Sequence, residues 1–376
     1  MNADDISCTD PFHEHLSTLP LLGDTTSNQA LLFSQSFAPA PKDTPLYPNY
    51  TLPQANLSIP ASPVSPNLTL IISPTSSNPS LISVPQTGCR LAQTASTGSQ
   101  VNHSLWLKDS DGWRSQWLMG DLNPVTNYTA YVIQDNTKVS GPIMFTTKSG
   151  EFVPACFWCS RSHNNLISVA FPCPIVHSLP YCPSTSYAVP LPYPPNGAPA
   201  YDSANLPSSL SDLILTYMTN FTTTLTTFAC GRDMYSPLQS CANCQVAYRQ
   251  WLCAVSFARC SEASPGSSPS TSEGTAQQPF SALVPQATDA PSRSPNVLNM
   301  TTLGTEWNAL LPCLETCTAV DRACPHFLGF TCPVVRFNAN ASYGVGYIDS
   351  GEDGIQGEGM TGNWQDRWGN VWCNGS

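Results

Sequence analysis

The sequence predicts an α+β chain of two domains, an antiparallel β-sandwich over residues 48–150 followed by a disulfide-rich, mainly helical domain over 151–376. Three observations predict it. Short β-branched or aromatic runs recur about every ten residues from 67 to 148, separated by Ser, Pro, Asn and Gly, as antiparallel strands require. All of the sixteen cysteines except Cys8 and Cys89 lie between 156 and 373. Two stretches of that same region, 208–228 and 242–259, carry large apolar residues at helical offsets.

Composition narrows the function classes. Only 10% of the 376 residues are charged, against roughly 25% in an ordinary soluble protein. The net charge of -11 argues against a polyanionic partner such as nucleic acid. A surface this poor in charge needs another source of hydration. Asn49, Asn56, Asn67, Asn102, Asn127, Asn220, Asn299, Asn340 and Asn374 each open an Asn-X-Ser/Thr sequon and are the expected glycan carriers. Together with an even cysteine count they predict passage through the endoplasmic reticulum, where glycans and disulfides both form. No run of about 18 apolar residues predicts a membrane span. No charged-then-apolar leader follows Met1, so a leader removed before this numbering begins, or a misassigned start, is expected.

Residues 1–47 show no sustained period and are expected to be irregular. Strands are then predicted at 67–73, 80–84, 104–108, 115–120, 128–134 and 143–148. Between the runs 115–120 and 128–134, Leu122-Asn123-Pro124 leads to Tyr128, a pattern similar to the tyrosine corner of fibronectin type III domains. Alternation puts Tyr128, Ala130 and Val132 on one face, with Tyr131 and Ile133 opposite. Prolines crowd 172–199, which forbids long helices and central strands and predicts an extended, stapled segment. A helix follows, capped by Ser208 or Ser209, with Leu210, Leu213, Ile214, Tyr217, Met218, Phe221, Leu225 and Phe228 on its apolar stripe. Asn220 falls off the stripe.

The hub of the second domain is 228–260, which holds Cys230, Cys241, Cys244, Cys253 and Cys260. Cys244, Tyr248 and Trp251 lie three and four apart on one helical face. Partner cysteines lie before it (Cys156, Cys159, Cys173, Cys182) and after it (Cys313, Cys317, Cys324, Cys332, Cys373), and all fourteen are expected to be oxidised. Cys8 and Cys89 remain to pair with each other. Residues 261–296 are low-complexity Ser/Pro/Thr sequence and are expected to form a disordered insert. A further helical pattern begins at Glu306, interrupted at Pro312, and 342–376 reads as glycine-rich coil.

The chemistry-bearing motifs favour structure over catalysis. Cys156-Phe-Trp-Cys159 has oxidoreductase spacing but no helical run after it, so a structural disulfide is expected. Cys241-Ala-Asn-Cys244 and Cys313/Cys317 have the spacing of zinc half-sites, yet histidine is scarce and the secretory signature points to disulfides. The acidic run 349–354 has Met360 where a calcium loop needs its bidentate glutamate. No Ser/His/Asp constellation is visible, so no catalytic site, metal or cofactor is expected.

Several ordered motifs resemble a known family: 171–182, the 230–260 hub, Asp321-Arg-Ala-Cys-Pro325, Ser342-Tyr-Gly-Val-Gly-Tyr-Ile348 and Asp366-Arg-Trp-Gly-Asn-Val-Trp-Cys373. Together they resemble the fungal Mid family, the so-called stretch-activated calcium-channel components. The resemblance implies that the cysteine-rich domain is frizzled-like. It also implies a glycosylated auxiliary subunit on the extracellular face of the plasma membrane, partnered with a four-repeat calcium-channel pore subunit. The competing reading is a secreted module that binds a lipid or protein ligand, as frizzled-like folds do elsewhere. The sequon-free run 343–373 is the expected partner surface, carried by Tyr347, Trp364, Arg367 and Trp368, residue types enriched at interface hot spots.

Overall fold

The fold is that of a computed structural model describing residues 20–41, 61–150, 171–227, 235–262, 282–286, 307–334, 339–349, 360–364 and 371–375. Its elements in order are β1 (Leu21–Thr25), β2 (Ala30–Phe33), β3 (Leu68–Pro74), α1 (Gly88–Ala92), β4 (Ser99–Leu107), β5 (Trp113–Gly120), β6 (Asn127–Gln134) and β7 (Lys138–Thr146). After these come β8 (Ile175–Val176), β9 (Tyr187–Ala188), α2 (Ser208–Thr227), α3 (Cys241–Ser256), β10 (Arg259–Cys260), β11 (Leu283–Gln286) and β12 (Trp307–Leu310). The chain closes with α4 (Leu314–Ala323), α5 (Ala339–Ser342), β13 (Tyr347–Asp349) and β14 (Met360–Asn363).

Two antiparallel sheets, β1-β2-β5-β4 and β3-β6-β7, build the first half. Leu22, Ala30, Leu32, Trp117 and Met119 of one sheet meet Ile72, Tyr128, Ala130, Val132, Ile143 and Phe145 of the other in a shared core. The predicted alternation along β6 holds, because Tyr131 and Ile133 pack oppositely with Ile71, Leu81, Leu91 and Val139. The Tyr128 hydroxyl accepts a 2.9 Å bond from the Asn123 backbone N–H, the link that the tyrosine-corner pattern predicts. Strands β3 to β7 overlap five of the predicted runs.

Several expectations are corrected. Residues 1–47 are not irregular throughout, since β1 and β2 lie within them and β2 pairs with β5 in register (Leu32↔Trp117). Both faces of β2 are buried, so its sequence cannot alternate. Residues 80–84 form turns, with Leu81 buried beneath the second sheet rather than in a strand. Trp307–Leu310 is a strand, not the start of a helix. It is the middle strand of β10-β12-β11, and pairing on both sides overrides the local helical pattern. Leu283–Gln286 falls inside the insert expected to be disordered, yet it is one of those partners. The glycine-rich end is not all coil: β13 and β14 form a hairpin, and Asn374 bridges to Pro312.

Helix α2 buries Leu210, Ile214, Met218 and Leu225 of the expected stripe and leaves Asn220 exposed, but Tyr217, expected on the stripe, is exposed at its edge, and Phe228 falls outside the described residues. Its first turn is closed by the Pro207 carbonyl, which accepts from the Leu210 and Ser211 N–H groups, so Ser208 and Ser209 sit inside the helix rather than at its cap. Ser240 caps α3 by accepting a bond from the Asn243 N–H. Helix α3 lies between two cores. Leu252 and Cys253 face the Tyr187–Met218 cluster, while Cys244 and Ala247 face Leu225, Val320 and Ala323. Four of its flanking or internal cysteines are disulfide-bonded. Cys253 reaches back to Cys182 and Cys260 to Cys173, whereas Cys244 reaches forward to Cys324. Cys313–Cys373 and Cys317–Cys332 close the rest. Cys89 is also disulfide-bonded. The expected bonds of Cys8, Cys156, Cys159 and Cys230 fall outside the described residues.

Candidate functional site

The two halves meet across a buried polar boundary in a protein that has few charges to spend. Asp24, at the end of β1, is 4% exposed and accepts four bonds. Its Oδ1 takes them from Lys148 Nζ (2.9 Å) and the Thr25 N–H (2.8 Å), and its Oδ2 from Arg259 Nε (3.0 Å) and the Ala188 N–H (3.1 Å). Arg259 also donates to the Gly23 carbonyl at 2.9 Å, and Lys148 to the Cys260 carbonyl at 3.2 Å. Close approach needs Gly23, because a Cβ there would lie 2.7 Å from the Ser186 carbonyl. Burial alone would raise the Asp24 carboxyl, but Arg259 and Lys148 hold it below its ordinary value. Aromatic faces complete the cage: Phe171 lies under Lys148 at 4.2 Å, and Tyr187 and Trp364 lie 5.4 and 5.6 Å from the Arg259 guanidinium.

Further contacts extend this boundary along the first sheet. Leu31, Phe33, Trp106 and Leu118 pack against Ile175 and Ala200. Trp106 Nε1 donates to the Pro183 carbonyl, and Lys108 Nζ to Ser186 Oγ at 3.0 Å. Burial without a contacting carboxylate pushes the Lys108 ammonium down to about 8. Gln116 Nε2 bonds His177 Nδ1 and Ser178 Oγ, and burial lowers His177 below the ordinary imidazole value. Asp109 pairs with Arg249 at 2.7 Å and accepts from Gln250, joining the β4–β5 turn to α3. Beside that pair opens a shallow cleft with room for about one water, lined by Asp109, Pro183, Tyr187, Arg249, Gln250 and Gly375.

Two serine hydroxyls meet imidazoles, Ser178 Oγ at 2.8 Å from His177 Nδ1 and Ser115 Oγ at 3.0 Å from His103 Nε2, and Gln116 Nε2 shares both partners of the first pair. Cys313, Glu315 and Cys373 converge as a metal site would, but the two sulfurs are joined to each other and offer no thiolate. Cys241, Cys244 and Cys317 are likewise engaged in disulfides.

The expected partner-binding residues divide. Tyr347 lies in β13, paired with Asn363 across the hairpin. Trp364 is half-buried over Arg259, and its carbonyl accepts from the Trp372 N–H. Arg367 and Trp368 fall outside the described residues. Of the sequons, Asn67, Asn102, Asn127, Asn220 and Asn340 are exposed, while Asn49, Asn56 and Asn299 fall outside the described residues. Asn374 differs from these: its side chain is fully buried, with Nδ2 donating to Tyr187 Oη, the Ala254 carbonyl and the Phe257 carbonyl.

Sequence reasoning missed Asp24, Lys108, Lys148 and Arg259. The only available signal was rarity: single charges set beside strand-forming runs in a chain with few charges.

Comparison with known proteins shows which sequences this chain is similar to. A family model described as "Stretch-activated Ca2+-permeable channel component" matches residues 5–363. The stretch-activated cation channel MID1 of Cryptococcus neoformans var. grubii is 36% identical over 407 residues, covering 98% of this chain and 61% of that protein. The stretch-activated cation channel yam8 of Schizosaccharomyces pombe is 27% identical, covering 61% of this chain and 41% of yam8. The MID1 protein of Saccharomyces cerevisiae is 24% identical, with 56% and 34% covered. This chain therefore spans 61% of the first of these relatives and less of the others. No solved structure gives a significant match.

Proposed function

The chain belongs to the Mid1 family of stretch-activated Ca²⁺-permeable channel components, and from that premise we propose that it is an extracellular, N-glycosylated auxiliary subunit. In this reading it docks on a four-repeat, voltage-gated-like pore subunit at the plasma membrane and supports calcium influx. The observation that carries the extracellular assignment is the disulfide framework. Five pairs, closing loops of 15 to 87 residues, converge on one short helix and its neighbours. Bonds of this density form and persist in oxidising compartments. The five exposed sequons fit the same compartment.

A stapled body presents a fixed surface, and a fixed surface can bias a partner only by binding one of its states better than another. The docking face proposed is the sequon-free run 343–373. Trp364, seated on Arg259, would be its anchored base, and Tyr347, Arg367 and Trp368 would make the contacts. The domain plan belongs to the same proposal. The facing sheets, with their Tyr128–Asn123 bond, would be a fibronectin type III-like sandwich over 48–150 joined by β1 and β2, and residues 151–376 a frizzled-like domain. Arg367→Ala and Trp368→Ala test the docking face. Both variants are expected to be secreted and glycosylated normally while pore-subunit co-purification and calcium uptake are lost. Normal secretion with undiminished co-purification would exclude this face.

A further inference from the structure

We propose that Asn374 is a sequon the mature protein keeps unmodified, because its side-chain amide is the polar centre of a C-terminal latch, and that a glycan there and closure of the latch are mutually exclusive. The latch is the segment 371–375. Its backbone is paired on both sides of Asn374: the Asn374 N–H donates to the Leu311 carbonyl at 2.8 Å, and the Cys313 N–H donates to the Asn374 carbonyl at 3.0 Å. The adjacent Cys373 is bonded to Cys313. This brings the Asn374 side chain under α3, where it is wholly excluded from solvent.

The amide nitrogen already uses both of its hydrogens, while Oδ1 is buried without a partner. A primary amide has two N–H donors. One reaches Tyr187 Oη at 3.1 Å, and the other is shared between the Ala254 and Phe257 carbonyls at 3.1 and 3.3 Å. Two carbonyl acceptors fix which end of the amide is nitrogen. The Tyr187 hydroxyl in turn donates a hydrogen bond to the Phe257 carbonyl at 3.0 Å, so the amide is part of a chain of buried hydrogen bonds. Glycan transfer from a lipid pyrophosphate donor would form a bond from Nδ2 to the anomeric carbon, release the lipid pyrophosphate and remove one amide proton. Only one donor would then face three acceptors, in a site with no room for a sugar ring.

The second sequon position has its own packing reason. A Cβ on Gly375 would lie 2.5 Å from the Trp364 ring, the same ring that covers Arg259. Asn-Gly at 374–375 is therefore explained by hydrogen bonding and close approach, without reference to a glycan. Only the hydroxyl of Ser376 completes the acceptor motif.

The experiment separates the amide from the motif. The full chain is secreted from a eukaryotic host, and the peptide that contains Asn374 is examined by mass spectrometry after enzymatic deglycosylation in heavy-oxygen water, which marks formerly occupied asparagines. Asn374 is expected to be unmarked in the secreted fraction, with any marked form confined to retained protein. Ser376→Ala, which removes the motif and keeps the amide, is expected to leave secretion and thermal midpoint unchanged. Asn374→Ala removes both and is expected to reduce secreted protein several-fold, because buried acceptors lose their partner. A marked Asn374 in the secreted fraction, or a Ser376→Ala loss as large as that of Asn374→Ala, would overturn the proposal. If Asn374→Ala is not secreted at all, the Ser376→Ala result and the occupancy measurement still decide it.

Discussion

The two halves of this chain solve the burial problem by different means. In the first, strands of up to nine residues pair in register, so that each of Trp117, Tyr128, Ala130 and Val132 is placed by its sheet and buried by the facing one. In the second, α2 and α3 bury a core with Tyr187, Leu191 and Tyr201, but the other elements are short: β8, β9 and β10 have two residues each and α4 has ten. Its segments are held by covalent links to α3, and the prolines of 172–199 limit what hydrogen-bonded structure can add. Register organises one half and sulfur the other. The boundary between them depends on neither, because a buried carboxylate gathers one cation from each side.

That contrast is broken most severely at the boundary. Asp24→Ala leaves Arg259 and Lys148 buried without their anion, and uncompensated buried charge costs about 3–5 kcal/mol. The expected outcome is loss of secretion and, in any protein recovered, coincident loss of protection in both halves by hydrogen exchange. Retention of either half at wild-type protection would show the halves to be independent.

Next in size, Cys244→Ser or Cys317→Ser removes one staple, at about 2–5 kcal/mol each. If sulfur organises only the second half, limited proteolysis should open sites around α3 and α4 first, while β3, β6 and β7 stay resistant. Simultaneous opening of the sheets would blur the distinction.

A smaller effect tests the boundary by pH. His177 is buried against Gln116 and Ser178, with Asp202 the nearest opposing charge, and the fold favours its neutral form. Stability should therefore fall as pH drops through the unfolded imidazole value near 6.5 toward the lower folded one. Lys108 works in the opposite range. Its folded value near 8 lies below the ordinary 10.5, so the penalty for charging it is full below 8 and fades as pH rises toward 10.5. Thermal midpoints across pH, with His177→Gln flattening the acid limb, check the first of these.

The smallest effect is expected in the insert. Strands β10 and β11 lie parallel on either side of β12, so a chain from 262 to 282 must return across about 15–20 Å. About ten Gly/Ser residues in place of 263–281 have that reach, and stability should change by less than about 0.5 kcal/mol. Removing Leu283–Gln286 as well should destabilise β12, which the sequence alone did not foretell.

Legibility followed the same divide. Strands β3 to β7 were readable as long β-branched or aromatic runs between turn residues, β5 and β6 among them though buried on both faces, and Tyr128 carried its own local pattern. Strand β2 was not, since it is only four residues long and is buried on both faces, Leu31 and Phe33 on one and Ala30 and Leu32 on the other. The Trp307–Leu310 segment misled because its partners lie far from it in sequence, and pairing decides its state. The cysteines announced a stapled body but not its pairing, which depends on which segments α3 touches. The charged boundary was hidden for the same reason: Asp24 and Arg259 are 235 residues apart and share no motif.

The account rests most heavily on a second half oxidised into one covalent body outside the cell. Peptide mapping of the mature protein under non-reducing conditions, with free thiols alkylated at harvest, tests that directly. The expected result is the linked pairs Cys173–Cys260, Cys182–Cys253, Cys244–Cys324, Cys313–Cys373 and Cys317–Cys332, with none of these ten thiols alkylated. Recovery of most of them as alkylated free thiols would contradict both the framework and the extracellular assignment built on it.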